Sequence, residues 1–137
     1  KGITKRNAPM FGPAGHTYVY LIYGMYHCLN IVSGKKGEGE AVLIRALEPV
    51  QGIGLMEKRR NTKKIENLCS GPGKLTQAFG ITRKQNNISL LEGNLRIYDS
   101  PLKPEICTST RIGLSAGKEL ELRFFIKDNR FVSKNKK

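Results

Sequence analysis

The sequence holds no tryptophan, two histidines, three cysteines and only eleven acidic residues in 137 positions. Each shortage removes a class of function. Cys28, Cys69 and Cys107 lie far apart with no C-x-x-C pair, and His16 and His27 have no ligand partners at metal spacing. A structural zinc site and a disulfide framework are therefore not expected; the thiols should be reduced, mostly buried, in a cytoplasmic protein. No apolar run approaches the length of a membrane span, and no signal-peptide pattern opens the chain. The chain starts without Met, at Lys1-Gly2-Ile3, and is expected to be N-terminally incomplete. Its length suits one domain over residues 1–137. Hydrophobic residues make up 39%, which is lean for a self-contained globule and suggests that part of the core lies elsewhere.

Positive charge, in contrast, is plentiful. Lys and Arg number 24 against 11 Asp and Glu, a formal net charge of +13. Such an excess points to a polyanionic partner, nucleic acid ahead of an anionic membrane, although solubility alone is the plainer explanation.

Tyrosine is concentrated. The stretch "YVYLIYGMYHCLNIV" holds four of the five tyrosines. Its β-branched and aromatic residues predict strands over 17–22 and 26–32, joined by a tight turn at Gly24. A two-residue loop would pair Ile22 with Met25. A three-residue loop, Tyr23-Gly24-Met25, pairs Ile22 with Tyr26 and gathers Tyr18, Tyr20, Ile22, Tyr26, Cys28 and Asn30 on one face. The latter arrangement builds an aromatic wall with one amide and leaves Tyr23 and Met25 at the tip. Exposed apolar tips are unfavourable unless used, and insertion between base pairs in the minor groove is one use. Cross-strand pairing in a buried hairpin is the plainer alternative.

Elsewhere the signals are coarser. Residues 33–40 read as a glycine-rich loop and 41–46 as a third strand, interrupted by Arg45. Glu48-Pro49 predicts a helix running to Arg60, with Val50, Ile53 and Met56 inward. A second helix opens at Ser70 and Pro72 and closes at Gly80. Further strands are expected at 95–99, 110–114 and 120–127, and a frayed basic tail from Lys134. Strands around two helices without βαβ alternation predict an α+β fold with a mostly antiparallel sheet.

The blocks "MFGPAGHTYVYLIYGMYHCLNIV", "AVLIRALEP" and "LCSGPGKLTQAFGI" resemble the alkylpurine (3-methyladenine) DNA glycosylases, in the same order and over almost the whole chain. The resemblance implies a single mixed domain around a curved antiparallel sheet with helices outside, like the C-terminal domain of formyltransferases. It implies base-excision repair: an alkylated or deaminated purine (3-methyladenine, 7-methylguanine, hypoxanthine, ethenoadenine) is turned out of duplex DNA from the minor groove, and its N-glycosidic bond is hydrolysed. In that family Tyr23 corresponds to the ring filling the vacated space, with Met25 beside it. Tyr20 corresponds to a wall against the flipped base, and Asn30 to the residue crowding guanine's 2-amino group. Arg45 and the Ile112 main-chain carbonyl correspond to groups holding the attacking water. Thr4, Arg6 and Lys74 fall in segments that approach the DNA backbone.

The resemblance further implies a monomer acting on double-stranded DNA, without lyase step, metal or cofactor, and nucleoid-associated in a bacterium. It places the general base in a Glu-Thr-Glu-Ala-Tyr block upstream of Lys1. Glu38, Glu40 and Glu48 are not substitutes for it. Two other classes compete: a non-catalytic basic nucleic-acid-binding module, and a small-molecule enzyme of related architecture. Arg45 within an apolar strand is what the first leaves unexplained.

Overall fold

The computed structural model describes residues 2–113 and 116–133. Strands β1 (Thr17–Ile22) and β2 (Tyr26–Val32) form the antiparallel hairpin with the boundaries that residue type predicts. Their register pairs Ile22 with Tyr26, Tyr20 with Cys28 and Tyr18 with Asn30, so the loop has three residues. Strand β3 (Ala41–Leu43) adds antiparallel to β2, pairing Leu43 with Asn30.

The free edge of β1 is closed by side chains. Thr17 is buried; its hydroxyl donates to the Gln85 carbonyl and accepts from Ile88 N–H at 3.0 Å. Val19 N–H donates to Asn86 Oδ1 at 2.9 Å. Segment 85–88 therefore satisfies an edge that would otherwise present open ladder groups.

One face of the hairpin builds the core. Val19 and Leu29 pack with Met56 of helix α1 (Ile53–Arg60), with Leu75 and Ala78 of helix α2 (Pro72–Phe79), and with Leu68, Cys69 and Ile81 from the segments flanking α2. Helix α2 starts with Pro in its first turn and ends at Gly80, φ 69°; Gly80 and Ile81 N–H groups return to the Gln77 and Thr76 carbonyls. Two cations of the basic exit of α1 are occupied with packing. Arg59 Nη1 donates to the Ala78 carbonyl at 3.0 Å and Arg60 Nε to Leu68 at 3.1 Å.

Several expectations are corrected. Helix α1 begins at Ile53, because Gly52 at φ 71° caps it in the left-handed conformation; Pro49 is buried outside the helix and Val50 is exposed. Strand β3 stops at Leu43, two residues before Arg45. Residues 95–99 form no strand: Ile97 and Tyr98 are exposed, with nothing to reward their alternation. The later strands are β4 (Ile106–Ser109), earlier than the expected 110–114, and β5 (Arg123–Ile126), the middle of 120–127. Leu114 and the tail from Lys134 lie outside the described residues. Among the described residues the strands fall into two antiparallel sheets, β1-β2-β3 and β4-β5, giving an α+β fold with two α-helices. Cys28 and Cys69 are buried, Cys107 is half-buried, and all three are free. Among the described residues no helix is long and apolar enough to cross a membrane.

Candidate nucleic-acid interface

The hairpin tip is built by backbone chirality. Tyr23 and Gly24 have φ of 52° and 68°, and Met25 N–H returns to the Ile22 carbonyl at 3.3 Å. Positive φ at both residues places them in the left-handed region, which reverses the chain sharply within the three-residue loop. The turn thrusts its side chains outward: Tyr23 is 84% exposed and Met25 66%. Two large apolar groups therefore stand together at an extremity that no other described residue covers.

Behind the tip, the face opposite the core is aromatic. The Tyr18 and Tyr20 ring centroids are 5.2 Å apart and tilted by 40°. Arg6 reaches back from the N-terminal turn. Its guanidinium lies 5.1 Å from the Tyr20 ring centroid, and Nη2 donates to the Leu21 carbonyl at 3.1 Å. Burial is the main cause that pushes the Tyr20 hydroxyl up to about 12, with the Cys28 thiol adding to it and Arg6 opposing. Burial raises the Tyr18 hydroxyl too, again against Arg6. Both phenols thus stay neutral donors across the physiological range.

Asn30 completes this wall at its inner end. It is buried, and its Nδ2 donates to the Tyr18 carbonyl at 3.1 Å, across the strand pair. That bond fixes the amide plane and leaves Oδ1 without a partner among the described residues. The wall brings together Tyr18, Tyr20, Cys28 and Asn30, with a cation at its rim and, among the described residues, no acidic side chain on its face.

The remaining predicted residues are placed unevenly. Ile44 N–H donates to the Leu29 carbonyl at 3.0 Å, carrying the β2–β3 ladder one bond past Leu43. On that extension Arg45 falls opposite Cys28, at the edge of the tyrosine face. It is exposed and forms no ion pair among the described residues, contrary to the burial that its apolar neighbours suggest. Ile112 lies in a bend after β4, 49% exposed, with no hydrogen bond tying it to the hairpin among the described residues. Thr4 is exposed and bonded to Asn7, its N–H to Oδ1 at 2.6 Å. Lys74 projects from the first turn of α2.

Sequence reasoning missed two contacts here. Arg6 reads as one more cation in a basic stretch; its stacking on Tyr20 is a contact between distant segments that carries no local signal. Gly73 reads as a helix-start glycine. A Cβ on it would stand 3.1 Å from Tyr26 Cδ1, so its bareness lets α2 press flat against the base of the tip. Among the described residues no cluster of three His, Cys, Asp or Glu is placed to hold a metal. What the arrangement offers is two exposed side chains at the tip, a tyrosine-rich face behind them and Arg6 at its rim.

Comparison with known proteins bears on that geometry. The methylpurine-DNA glycosylase family matches residues 1–130. A protein of Methanoculleus marisnigri is 52% identical over 139 residues, covering 98% of this chain and 72% of its own length. One from Carboxydothermus hydrogenoformans is 49% identical over 138 residues, with 98% and 72% covered. A third, from Francisella tularensis, is 50% identical over 136 residues, with 96% and 70% covered. Each bears the name "Putative 3-methyladenine DNA glycosylase". On this match along almost all of its length, the chain belongs to the methylpurine-DNA glycosylase family.

Proposed function

We propose that this chain is the DNA-opening and base-holding part of a glycosylase that excises damaged purines from duplex DNA, leaving an abasic site. The observation that carries the reading is the hairpin, with Tyr23 and Met25 outermost and the tyrosine wall immediately behind them. In the minor groove the tip enters the stack, the Tyr23 ring replaces the departing nucleoside, and the unstacking cost is offset by new contacts. The extruded purine stacks on Tyr20, while Asn30 stands where guanine would carry its 2-amino group. Thr4 and Lys74 face phosphates. Arg6 has a different role from the phosphate contact that its segment suggests: it holds Tyr20 from the rim.

Hydrolysis then requires water at the sugar. The water oxygen bonds to C1′, the glycosidic bond breaks, and the base leaves with the electron pair. Arg45, at the edge of the tyrosine face, and the Ile112 carbonyl hold that water. The water proton passes to a carboxylate. Among the described residues no carboxylate lies on the wall. 3-Methyladenine and 7-methylguanine carry positive charge and leave readily. Hypoxanthine and ethenoadenine are neutral and also need protonation, so they lean harder on acid–base help, typically worth about 10²–10⁴-fold.

The test is release of hypoxanthine from a duplex by the full-length gene product, compared with its Tyr23→Ala variant. Abasic-site formation that slows in the variant supports the reading. Tight duplex binding without any abasic product would instead identify a non-catalytic binding module.

A further inference from the structure

Lys74 belongs to a larger basic feature of the molecule. The segment after α1, the first turn of α2 and the turn after β5 meet around a groove of about 370 Å³. Lys64, Lys74 and Arg130 line it together with Ser70, against one carboxylate, Glu66. Arg130 is steadied from two sides. Its guanidinium lies 4.8 Å from the Phe131 ring centroid, and Nη1 is 3.4 Å from Glu66 Oε1. Lys64 and Lys74 are exposed and make no ion pair among the described residues.

This groove is joined to the tip by rigid contacts. Gly73 packs on Tyr26, the residue that follows Met25, and the Thr76 hydroxyl bonds to the His27 carbonyl at 3.0 Å. Lys74 is next to Gly73, so one of the groove's cations sits on the helix that packs against the base of the tip. Three fixed or free cations around an open trough suit evenly spaced monoanions. An acidic peptide has no comparable reason to begin at the tip.

We infer that the groove holds backbone phosphates of the DNA strand running away from the hairpin, with Lys64 and Arg130 as phosphate-neutralising residues beside Lys74. This rests on the hairpin being the DNA-opening element. Glu66 keeps the guanidinium aimed across the groove when no phosphate is bound, and yields it when one arrives.

The experiment measures binding of the full-length gene product to a short undamaged duplex across a range of salt concentrations. Lys64→Gln and Arg130→Gln should each flatten the slope of log Kobs against log salt by about 0.9, the value of one phosphate contact. Both should weaken damaged and undamaged duplexes equally. Glu66→Gln should tighten binding. Unchanged slopes, a loss confined to damaged duplex, or weaker binding by Glu66→Gln would each overturn the assignment. Tyr23→Ala separates this from the preceding reading. It should slow excision without changing the slope; if it leaves excision intact while the groove variants still flatten the slope, the tip fails and the groove stands.

Discussion

Residues 17–90 and residues 91–133 both carry antiparallel strands with alternating apolar side chains, yet the two stretches relate to water in opposite ways. Every buried residue of the core cluster lies between Val19 and Ile81. After Leu90, Phe131 is the one buried hydrophobic residue among those described. Ile106, Leu120, Leu122, Phe124 and Ile126 are each at least 40% exposed, although three of them belong to β4 and β5. The total accessible surface, 10124 Å², exceeds the roughly 7,100 Å² expected for a compact monomer of this mass. Ladder hydrogen bonds therefore suffice to shape β4–β5, but the hydrophobic stabilisation of the molecule resides almost wholly in the first stretch. The two regions also differ in what their exposed rings do: Tyr23 is presented by a turn locked to the core, whereas Phe124 sits on an uncovered face.

The strongest way to break this comparison is to empty the core. Leu75→Ala should lower unfolding free energy by about 2–5 kcal/mol, since Leu75 is fully buried and its neighbours come from both helices and the hairpin. A urea titration giving a loss below about 1 kcal/mol would deny the first stretch its role.

A smaller effect comes from alkali. The Tyr20 hydroxyl is raised to about 12, chiefly by burial, above the ordinary value of 10. The folded state then keeps the proton through a range in which the unfolded chain gives it up. That contribution is complete below pH 10 and disappears as pH climbs from 10 toward 12. Urea midpoints should fall between pH 10 and pH 12, and fall less in Tyr20→Phe. Equal falls in both proteins would show that the wall does not exclude water from the phenol.

The least expected effect belongs to the second stretch. Phe124→Ala should change stability by no more than about 0.5 kcal/mol, because its ring is 65% exposed and leaves no cavity. A loss of 2 kcal/mol would mean that this face is covered in solution.

What the sequence made legible follows the same division. The hairpin boundaries could be read because aromatic and β-branched residues fill both strands and both of their faces become partly or wholly buried. Helix α2 could be read from Pro72 and Gly80, which act through backbone geometry alone. The start of α1 could not: Pro49 signals a helix, but Gly52 in the left-handed region cancels that signal, a choice invisible without the fold. Of the strands expected after residue 91, β5 falls inside its expected range, whereas 95–99 and 110–114 were misplaced: one face of β4–β5 is exposed and the other only half-buried, so alternation is weakly rewarded. At the candidate site, the tip residues followed from their loop. Arg45 was misjudged as buried because β3 was read through to Ala46, and the contact of Arg6 with Tyr20 joins segments that no local pattern connects.

Tyr23 holds a backbone angle of 52°, in a region where any residue with a Cβ is disfavoured by about 1–2 kcal/mol. Glycine would relieve that crowding, so folding by itself gives no reason for a phenol at this corner. The corner therefore carries a local backbone cost on the same residue that stands 84% exposed, which is what the proposed insertion into DNA would offset.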